Sequence, residues 1–364
     1  MKNFAWIATW KITRRCNLYC VYCDHKSMLP AIYPEKIDYQ KALGNIRKYS
    51  PKILNISGGE PSLVESLPDI LLEIKKQWNP FIRIVHNGTN PEKLLPCIPN
   101  MDRLVISLDG PDPINKSNRG ISAETIFKKL KEVIPEFINH SIGIFFNCVL
   151  TTANLKYMRQ LAQEAKDLSP AITVSFTPVM PPDGELSIIQ DEKVFNEFLS
   201  TYNELKQEGF RVMHVFDGIK QHADFKQFNC YNQYFNIRIS PEGQVLSCAM
   251  NTALSSGQYH YYFRKLLAKN GIEKAVNRIK KKIKQNLFCS MDFSCTTICA
   301  CENWLDLIFL GIQSNCIPFY ARGLHGRMTE SDYTTSEAFI QEYINPNFNK
   351  AILKKIIDAA GETY

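Results

Sequence analysis

The stretch TRRCNLYCVYCDHK, residues 13–26, carries three cysteines spaced Cys16-x3-Cys20-x2-Cys23, directly after an apolar run at 4–12 that reads as a strand. Three thiolates on one short loop can hold three irons of a cubane cluster, which leaves the fourth iron without a protein ligand. An open iron can bind amino and carboxyl groups, by the logic that leaves an open position on catalytic zinc. Two other readings stand beside this one. Zinc takes four ligands, and His25 would be the fourth. Alternatively, the loop is a plain surface loop. Cys16, Cys20 and Cys23 are thus the first candidates for catalytic and metal-ligating residues. Tyr22, between the last two, can pack on a flat ring or cover the site against water.

Downstream, short runs rich in β-branched and aromatic residues predict strands at 53–57, 82–86, 104–108, 142–150 and 172–178. Helices are predicted at 38–49, 66–78, 122–134 and 154–168, with Ser66 and Ser122 as N-caps and Pro68 tolerated in a first turn. Six strands separated mostly by helices argue for an α/β fold with a parallel sheet. Ligands of such sheets bind at the carboxyl ends of the strands.

The polar motifs fall at those ends. The second strand runs into Ser57-Gly58-Gly59-Glu60-Pro61. Paired glycines let backbone approach a ligand closely, and the Glu60 carboxylate suits an ammonium group. The third strand ends at His86-Asn87-Gly88-Thr89, and the fourth at Ser107-Leu108-Asp109-Gly110-Pro111. Ser107 and Asp109 alternate to one side and can meet ribose hydroxyls or substrate, unless they cap local turns. Arg119 is read in a following loop, able to pair bidentately with a carboxylate. Asn147 lies in the fifth strand beside Cys148. If Asn147 points inward, Cys148 points to the helices and packs as a small hydrophobe. Turned inward, it would be a hydrogen-atom donor.

The pattern changes after the Pro- and Gly-rich stretch 178–184. A helix is predicted at 192–207, a hairpin from strands 234–239 and 244–248, a basic-faced helix at 272–287, and a closing helix at 352–360. The parts read as 1–185, a helical linker 186–224, a cysteine-rich α+β module 225–320 and a helical segment 321–364.

Among 364 residues there are 12 cysteines: three at 16–23, seven at 230–316, and Cys97 and Cys148 between. That grouping, with no secretory signal, speaks for metal ligands over a disulfide scaffold. No run reaches a membrane span, and the chain is expected in the cytoplasm. The formal net charge of +7 is weak evidence for nucleic acid. A [4Fe–4S] core on three thiolates adds about −1, and on four about −2.

Taken together, CNLYCVYC, SGGEP, HNGT and SLDGP resemble the radical S-adenosylmethionine superfamily over residues 4–180. The resemblance implies a partial (β/α)6 TIM-like barrel. Cys16, Cys20 and Cys23 would hold a [4Fe–4S] cluster whose open iron chelates S-adenosylmethionine. Tyr22 would lie beside the adenine, and Gly58, Gly59 and Glu60 would meet the methionyl ammonium. Ser107, Asp109, Arg119 and Asn147, read above from the strand ends, are the further candidate cofactor-binding residues. A reducing partner such as flavodoxin or ferredoxin is implied.

The later cysteines are similar to the auxiliary-cluster extension called SPASM, or its shorter relative twitch. That likeness implies one cluster on Cys230, Cys248 and Cys299 and another on Cys289, Cys295 and Cys316. Asn286 stands where SPASM proteins have a cysteine, and Cys301 is extra. One or two auxiliary clusters are expected, with a structural zinc site as the competitor. The functions implied are peptide modification (crosslink, thioether or oxidation) first, then a small-molecule dehydrogenase or epimerase acting on a sugar or aminocyclitol. An iron–sulfur electron-transfer or zinc-binding protein is the alternative from another class. No winged peptide-recognition domain is expected before the triad, which lowers the case for leader-peptide binding.

Overall fold

The computed structural model describes residues 5–23, 30–32, 34–179, 187–188, 191–214, 236–246, 317, 321–343 and 345–362. The cysteines at 230, 248, 289, 295, 299, 301 and 316, and the basic helix at 272–287, lie outside the described residues. Among the described residues, nine strands form one sheet: β1 (Ile7–Lys11), β2 (Ile53–Ser57), β3 (Phe81–His86), β4 (Arg103–Ser107), β5 (Gly143–Leu150), β6 (Thr173–Pro178), β7 (Val212–His214), β8 (Asn236–Ile239) and β9 (Val245–Leu246). Their order is β7-β6-β5-β4-β3-β2-β1-β8-β9.

The first seven strands run parallel and in chain order. Crossovers between parallel strands are right-handed, so an order running one way puts every connecting helix on the same face. The connections hold α1 (Tyr39–Arg47), α2 (Leu67–Trp78), α3 (Ile114–Arg119), α4 (Ala123–Asn139), α5 (Met158–Leu168) and α6 (Glu192–Gln207). Trp10 of β1 meets Tyr39 of α1 edge to face, with ring centroids 6.1 Å apart. Ala8 and Trp10 therefore point to the helices, and Ile7, Thr9 and Lys11 point to the opposite face. This parallel sheet core is that of a partial β/α barrel.

Caps follow the sequence in part. Asp38 accepts from Lys41 N–H to start α1, and Ser122 accepts from Thr125 N–H to start α4. Ser66 precedes α2, but its side chain makes no capping bond. Trp6, Trp10, Phe146 and Phe176 are fully buried between sheet and helices, each adding roughly 1.5–3 kcal/mol relative to exposure.

Three placements differ from the sequence expectation. Arg119 is the last residue of α3, whose Gly120 C-cap has the positive φ of 78° that glycine takes freely. β7 is a seventh parallel strand inside the stretch read as helical linker. At three residues it is too short to show a period. The hairpin expected to open the second module instead has its first strand, β8, paired in parallel with β1, so it extends the barrel sheet. Gly243 at its turn permits this packing, since a Cβ there would lie 2.4 Å from Ala42 Cα of α1.

At the chain's end, α7 (Glu330–Tyr343) and α8 (Lys350–Glu362) follow a short turn over Arg322–Leu324. That turn closes the foot of the sheet. A Cβ on Gly323 would lie 2.7 Å from the Ile53 side chain and 3.3 Å from Phe81. The Arg103 guanidinium lies 5.1 Å from the Phe81 ring centroid and 4.5 Å from that of Phe145, filling the same level.

Candidate functional site at the carboxyl ends of the strands

The loop after β1 is tied to the neighbouring strand ends. The ladder between β1 and β2 continues past both strands. Ile12 N–H donates to Ser57 O at 2.9 Å, Gly59 N–H to Thr13 O at 2.8 Å and Glu60 N–H to Arg15 O at 2.8 Å. Gly58 and Gly59 make that approach possible. A Cβ would lie 2.5 Å from Thr13 O at the first and 2.0 Å from Arg15 O at the second. The close contact these glycines permit is therefore with the backbone that leads into Cys16.

Glu60 is buried, and its carboxylate accepts from Ser62 N–H at 2.9 Å and Asn87 N–H at 2.8 Å. His86 Nε2 faces it at 3.4 Å. His86 Nδ1 accepts from Gly88 N–H at 2.8 Å, so a neutral ring carries its proton on Nε2, toward Glu60. Glu60 thus joins the ends of β2 and β3.

Cys16, Cys20 and Cys23 form no disulfide, and each is half-buried. Asn17 Nδ2 donates to Thr89 Oγ1 at 2.9 Å, and Asn87 Nδ2 to Asn17 Oδ1 at 2.7 Å, which pins the first cysteine to the end of β3. Burial raises the Cys16 thiol above its usual range, against hydrogen bonds from Leu18 backbone and the Asn87 side chain that favour the thiolate. Burial also raises Cys20, and the Arg119 charge and hydrogen bond pull it back. On the other flank, Glu35 accepts from Thr13 Oγ1 and from Arg14 N–H at 2.9 Å, and Arg15 Nε donates to Ala31 O at 2.9 Å.

Asp109, just past β4, is the hub of the opposite side. One oxygen accepts from Arg119 Nη2 at 2.9 Å and Val149 N–H at 3.1 Å. The other accepts from the Tyr22 hydroxyl and, at 3.4 Å, from Asn118 Nδ2. The Arg119 guanidinium lies 5.5 Å from the Tyr22 ring centroid. Burial alone would pull Arg119 down, yet Asp109, Tyr22 and Cys20 hold it above its ordinary value. Burial pushes the Tyr22 phenol well up. Arg119's carboxylate partner is thus Asp109 of the protein itself, and Val21 N–H reaches Asn118 O at 2.8 Å to fasten the loop to α3.

Ser107 and Asn147 are register partners on β4 and β5, and Asn147 pairs onward with Ser175 of β6. They sit half-buried on the helix-free face, apart from the Asp109 hub. Cys148 points the other way. It is buried, with Sγ 3.6 Å from Asp109 O and from Asn154 Nδ2.

Sequence reading missed Glu35, Asn17, Asn118 and Asn154. Only the Thr151-to-Asn154 turn left a signal, a Thr and an Asn three residues apart before a helix. Among the described residues, no three His, Cys, Asp or Glu converge to hold a single metal ion. A cubane takes each thiolate on a separate iron and does not ask for that convergence. The donor set of three cysteine thiols on one clamped loop fits such a cluster. Also among the described residues, no helix is long and apolar enough to cross a membrane.

Residues 10–165 match the family model described as the Radical SAM superfamily. A curated S-adenosylmethionine-dependent nucleotide dehydratase of Fibrobacter sp. (strain UWH6) is 29% identical over 217 residues, 56% of this chain and 62% of that protein. A probable GTP 3′,8-cyclase of Methanococcus maripaludis is 25% identical over 260 residues, 66% of this chain and 83% of the relative. Streptococcus suis SuiB bound to S-adenosylmethionine is a solved structure with TM-score 0.52 and 16% identity, covering 68% of this chain and 60% of SuiB. SuiB bound to precursor peptide SuiA gives a TM-score of 0.53 at 16% identity, covering 70% of this chain and 61% of SuiB. The SuiB likeness is one of fold. The chain spans less than two thirds of the dehydratase and of SuiB.

Proposed function

Because residues 10–165 match the Radical SAM family model, we propose that the chain reductively cleaves S-adenosylmethionine and abstracts a hydrogen atom from a bound substrate. A [4Fe–4S] cluster on Cys16, Cys20 and Cys23 supplies, when bound, the electron that splits the sulfonium and so the 5′-deoxyadenosyl radical. The observation that carries the reading is the clamped loop itself. It presents three cysteines that form no disulfide, and the ends of three strands, β2, β3 and β4, hold it through Gly59 and Glu60, Asn87, and Asp109.

The chain's own residues orient and exclude. Asn87 and Arg119 place hydrogen-bond donors beside Cys16 and Cys20, which favours the thiolates that metal binding requires. Tyr22, held by Asp109, closes the space between Cys20 and Cys23 against water. By the resemblance, Gly58, Gly59 and Glu60 would meet the methionyl group, and Ser107 and Asn147, on the helix-free face, would meet substrate.

For the substrate, a small molecule is the reading we favour. Two of the sequence relatives, the dehydratase and the cyclase, are named for nucleotide chemistry, at 29% and 25% identity. Peptide modification is the second reading. SuiB bound to its precursor peptide shares this fold, and the cysteines at 230–316 suit auxiliary clusters that could serve such chemistry.

Anaerobic reconstitution should load iron and sulfide. The dithionite-reduced protein should then release 5′-deoxyadenosine from S-adenosylmethionine, and Cys20→Ala should not. A reconstituted, reduced protein that yields none would overturn the proposal.

A further inference from the structure

Arg119 is a cation enclosed beside the cysteine loop. It is 5% exposed and ends α3. The Val21 N–H bond to Asn118 O, at 2.8 Å, joins the loop to that helix, so Cys20 and Arg119 flank one backbone hydrogen bond. Tyr22, two residues after Cys20, has its ring centroid 5.5 Å from the Arg119 guanidinium carbon. Arg119 Nη2 is taken by Asp109 Oδ1 at 2.9 Å. Arg119 Nε is enclosed and has no hydrogen-bond partner among the described residues. Buried donors are normally filled. One left over on a cation beside three cysteines fits a site whose remaining acceptors are the sulfurs of a bound cluster.

The pair formed by Arg119 and Asp109 is neutral as a whole, but Cys20 does not feel its two ends equally. Burial is the largest influence on the Cys20 thiol and raises it. The Arg119 charge comes next and lowers it, ahead of the Asp109 charge, which raises it. Cys20 therefore faces the positive end of the pair. At Cys16 burial also leads and raises the thiol, and the charges that act on it, Glu60 and Cys20, are both negative.

We propose that Arg119, held by Asp109, is a positioning residue that acts through Cys20 to raise the reduction potential of a cluster on Cys16, Cys20 and Cys23. The inference deepens the radical reading above and rests on it for the presence of that cluster. Uptake of one electron takes a [4Fe–4S] core on three thiolates from about −1 to about −2. The electron comes from an external one-electron reductant, dithionite in vitro. A buried positive charge and a hydrogen-bond donor at the thiolate sulfur both favour the more negative state. Asp109 sits on the same guanidinium and offsets part of that charge. The two residues therefore act with opposite sign: losing the cation makes reduction harder, and neutralising the carboxylate makes it easier.

Redox titration of the anaerobically reconstituted full-length protein, followed by electron paramagnetic resonance without S-adenosylmethionine, tests this. The signal to follow is the one that Cys20→Ala removes. Arg119→Gln should make the one-electron equilibrium less favourable by about tenfold or more, and tenfold is a fall of about 59 mV in midpoint potential. Arg119→Lys keeps the charge and should fall less. Asp109→Asn keeps an acceptor for Tyr22 and should move the midpoint up. Iron and sulfide counts matching the parent's show that each variant carries the same cluster. If thermal melting shows Arg119→Gln unfolded, the double variant Asp109→Asn with Arg119→Gln removes both buried charges and should still lower the midpoint. Folded, loaded variants with the parent's midpoint would overturn the proposal. So would Arg119→Gln and Asp109→Asn shifting it in the same direction, since a merely structural role has no reason to give opposite signs. Release of 5′-deoxyadenosine by the parent is scored separately. If the midpoints move as expected while none is released, only the radical reading fails. If it is released and the midpoints stay put, only this inference fails. A parent that loads no iron overturns both.

Discussion

The Tyr22 hydroxyl donates to the Asp109 carboxylate, joining the middle of the cysteine loop to the end of β4, 87 positions along the chain. The same carboxylate answers the buried Arg119 guanidinium, so one side chain fixes both the loop and α3. Removing one partner of a buried pair leaves an uncompensated charge, at about 3–5 kcal/mol. Asp109→Ala should therefore lower the free energy of urea unfolding by roughly that amount. Tyr22→Phe, which loses one hydrogen bond, should cost only ~0.5–1.5 kcal/mol. An Asp109→Ala protein with the parent's midpoint would show that the hub does not hold the loop.

Gly59→Ala addresses the other side of the loop. The added methyl would sit 2.0 Å from Arg15 O, and the neighbour that must yield is backbone. Relief requires moving residues 13–15 away from β2, and Cys16 moves with them. Iron bound per chain after reconstitution should fall well below the parent's while far-UV circular dichroism stays the same. By contrast, Gly120→Ala meets nothing within 4 Å. It should cost only the strain of its positive φ, about 1–2 kcal/mol, and leave iron loading intact.

The parallel core was legible because its strands are short, apolar and bounded by polar ends. β2 and α6 fall where the pattern puts them. β7 was not legible, since three residues carry no periodicity. Nor was the docking of β8 on β1, because a strand's apolar residues do not name the edge they join. At the site, cysteine spacing marked the loop, but Glu60 and Asp109 read as groups offered to a ligand. Their carboxylates are in fact engaged within the protein, by Asn87 and Ser62 N–H in one case and by Arg119 and Tyr22 in the other. Sequence marks which residues are polar at a strand end. It does not say whether a neighbouring loop reaches them first.

Thiol reactivity should separate the cysteines into two sets. Cys148 is buried beside Asp109 O, and burial pushes its thiol well above the ordinary range. Burial likewise pushes Cys97 up to about 12. The thiolate is the reactive form, so brief iodoacetamide treatment of the native, metal-free protein should spare both. Mass spectrometry after unfolding should find them alkylated. Fast native labelling of Cys148 would contradict its packing and restore it as a candidate hydrogen-atom donor.

The His86–Glu60 contact gives a pH dependence whose sign follows from burial. His86 is fully enclosed, and burial lowers its pKa below the usual value, opposed by Glu60 and Glu92 and assisted by Lys129. Unfolded, the ring takes up a proton near pH 6.5; folded, it does so only at lower pH. Between those two values the unfolded chain binds the extra proton, so acid favours unfolding. The stability from keeping His86 neutral is thus complete above about pH 6.5 and lost as pH falls toward the folded value. It changes by at most about 1.4 kcal/mol per pH unit for this one group. Urea midpoints of the parent and of His86→Gln, measured from pH 8 to pH 5, isolate the term. The parent should lose stability more steeply below about pH 6.5, whatever the variant costs at neutral pH. Parallel curves would mean that His86 titrates alike in both states and that the Glu60 contact does not depend on its neutral form.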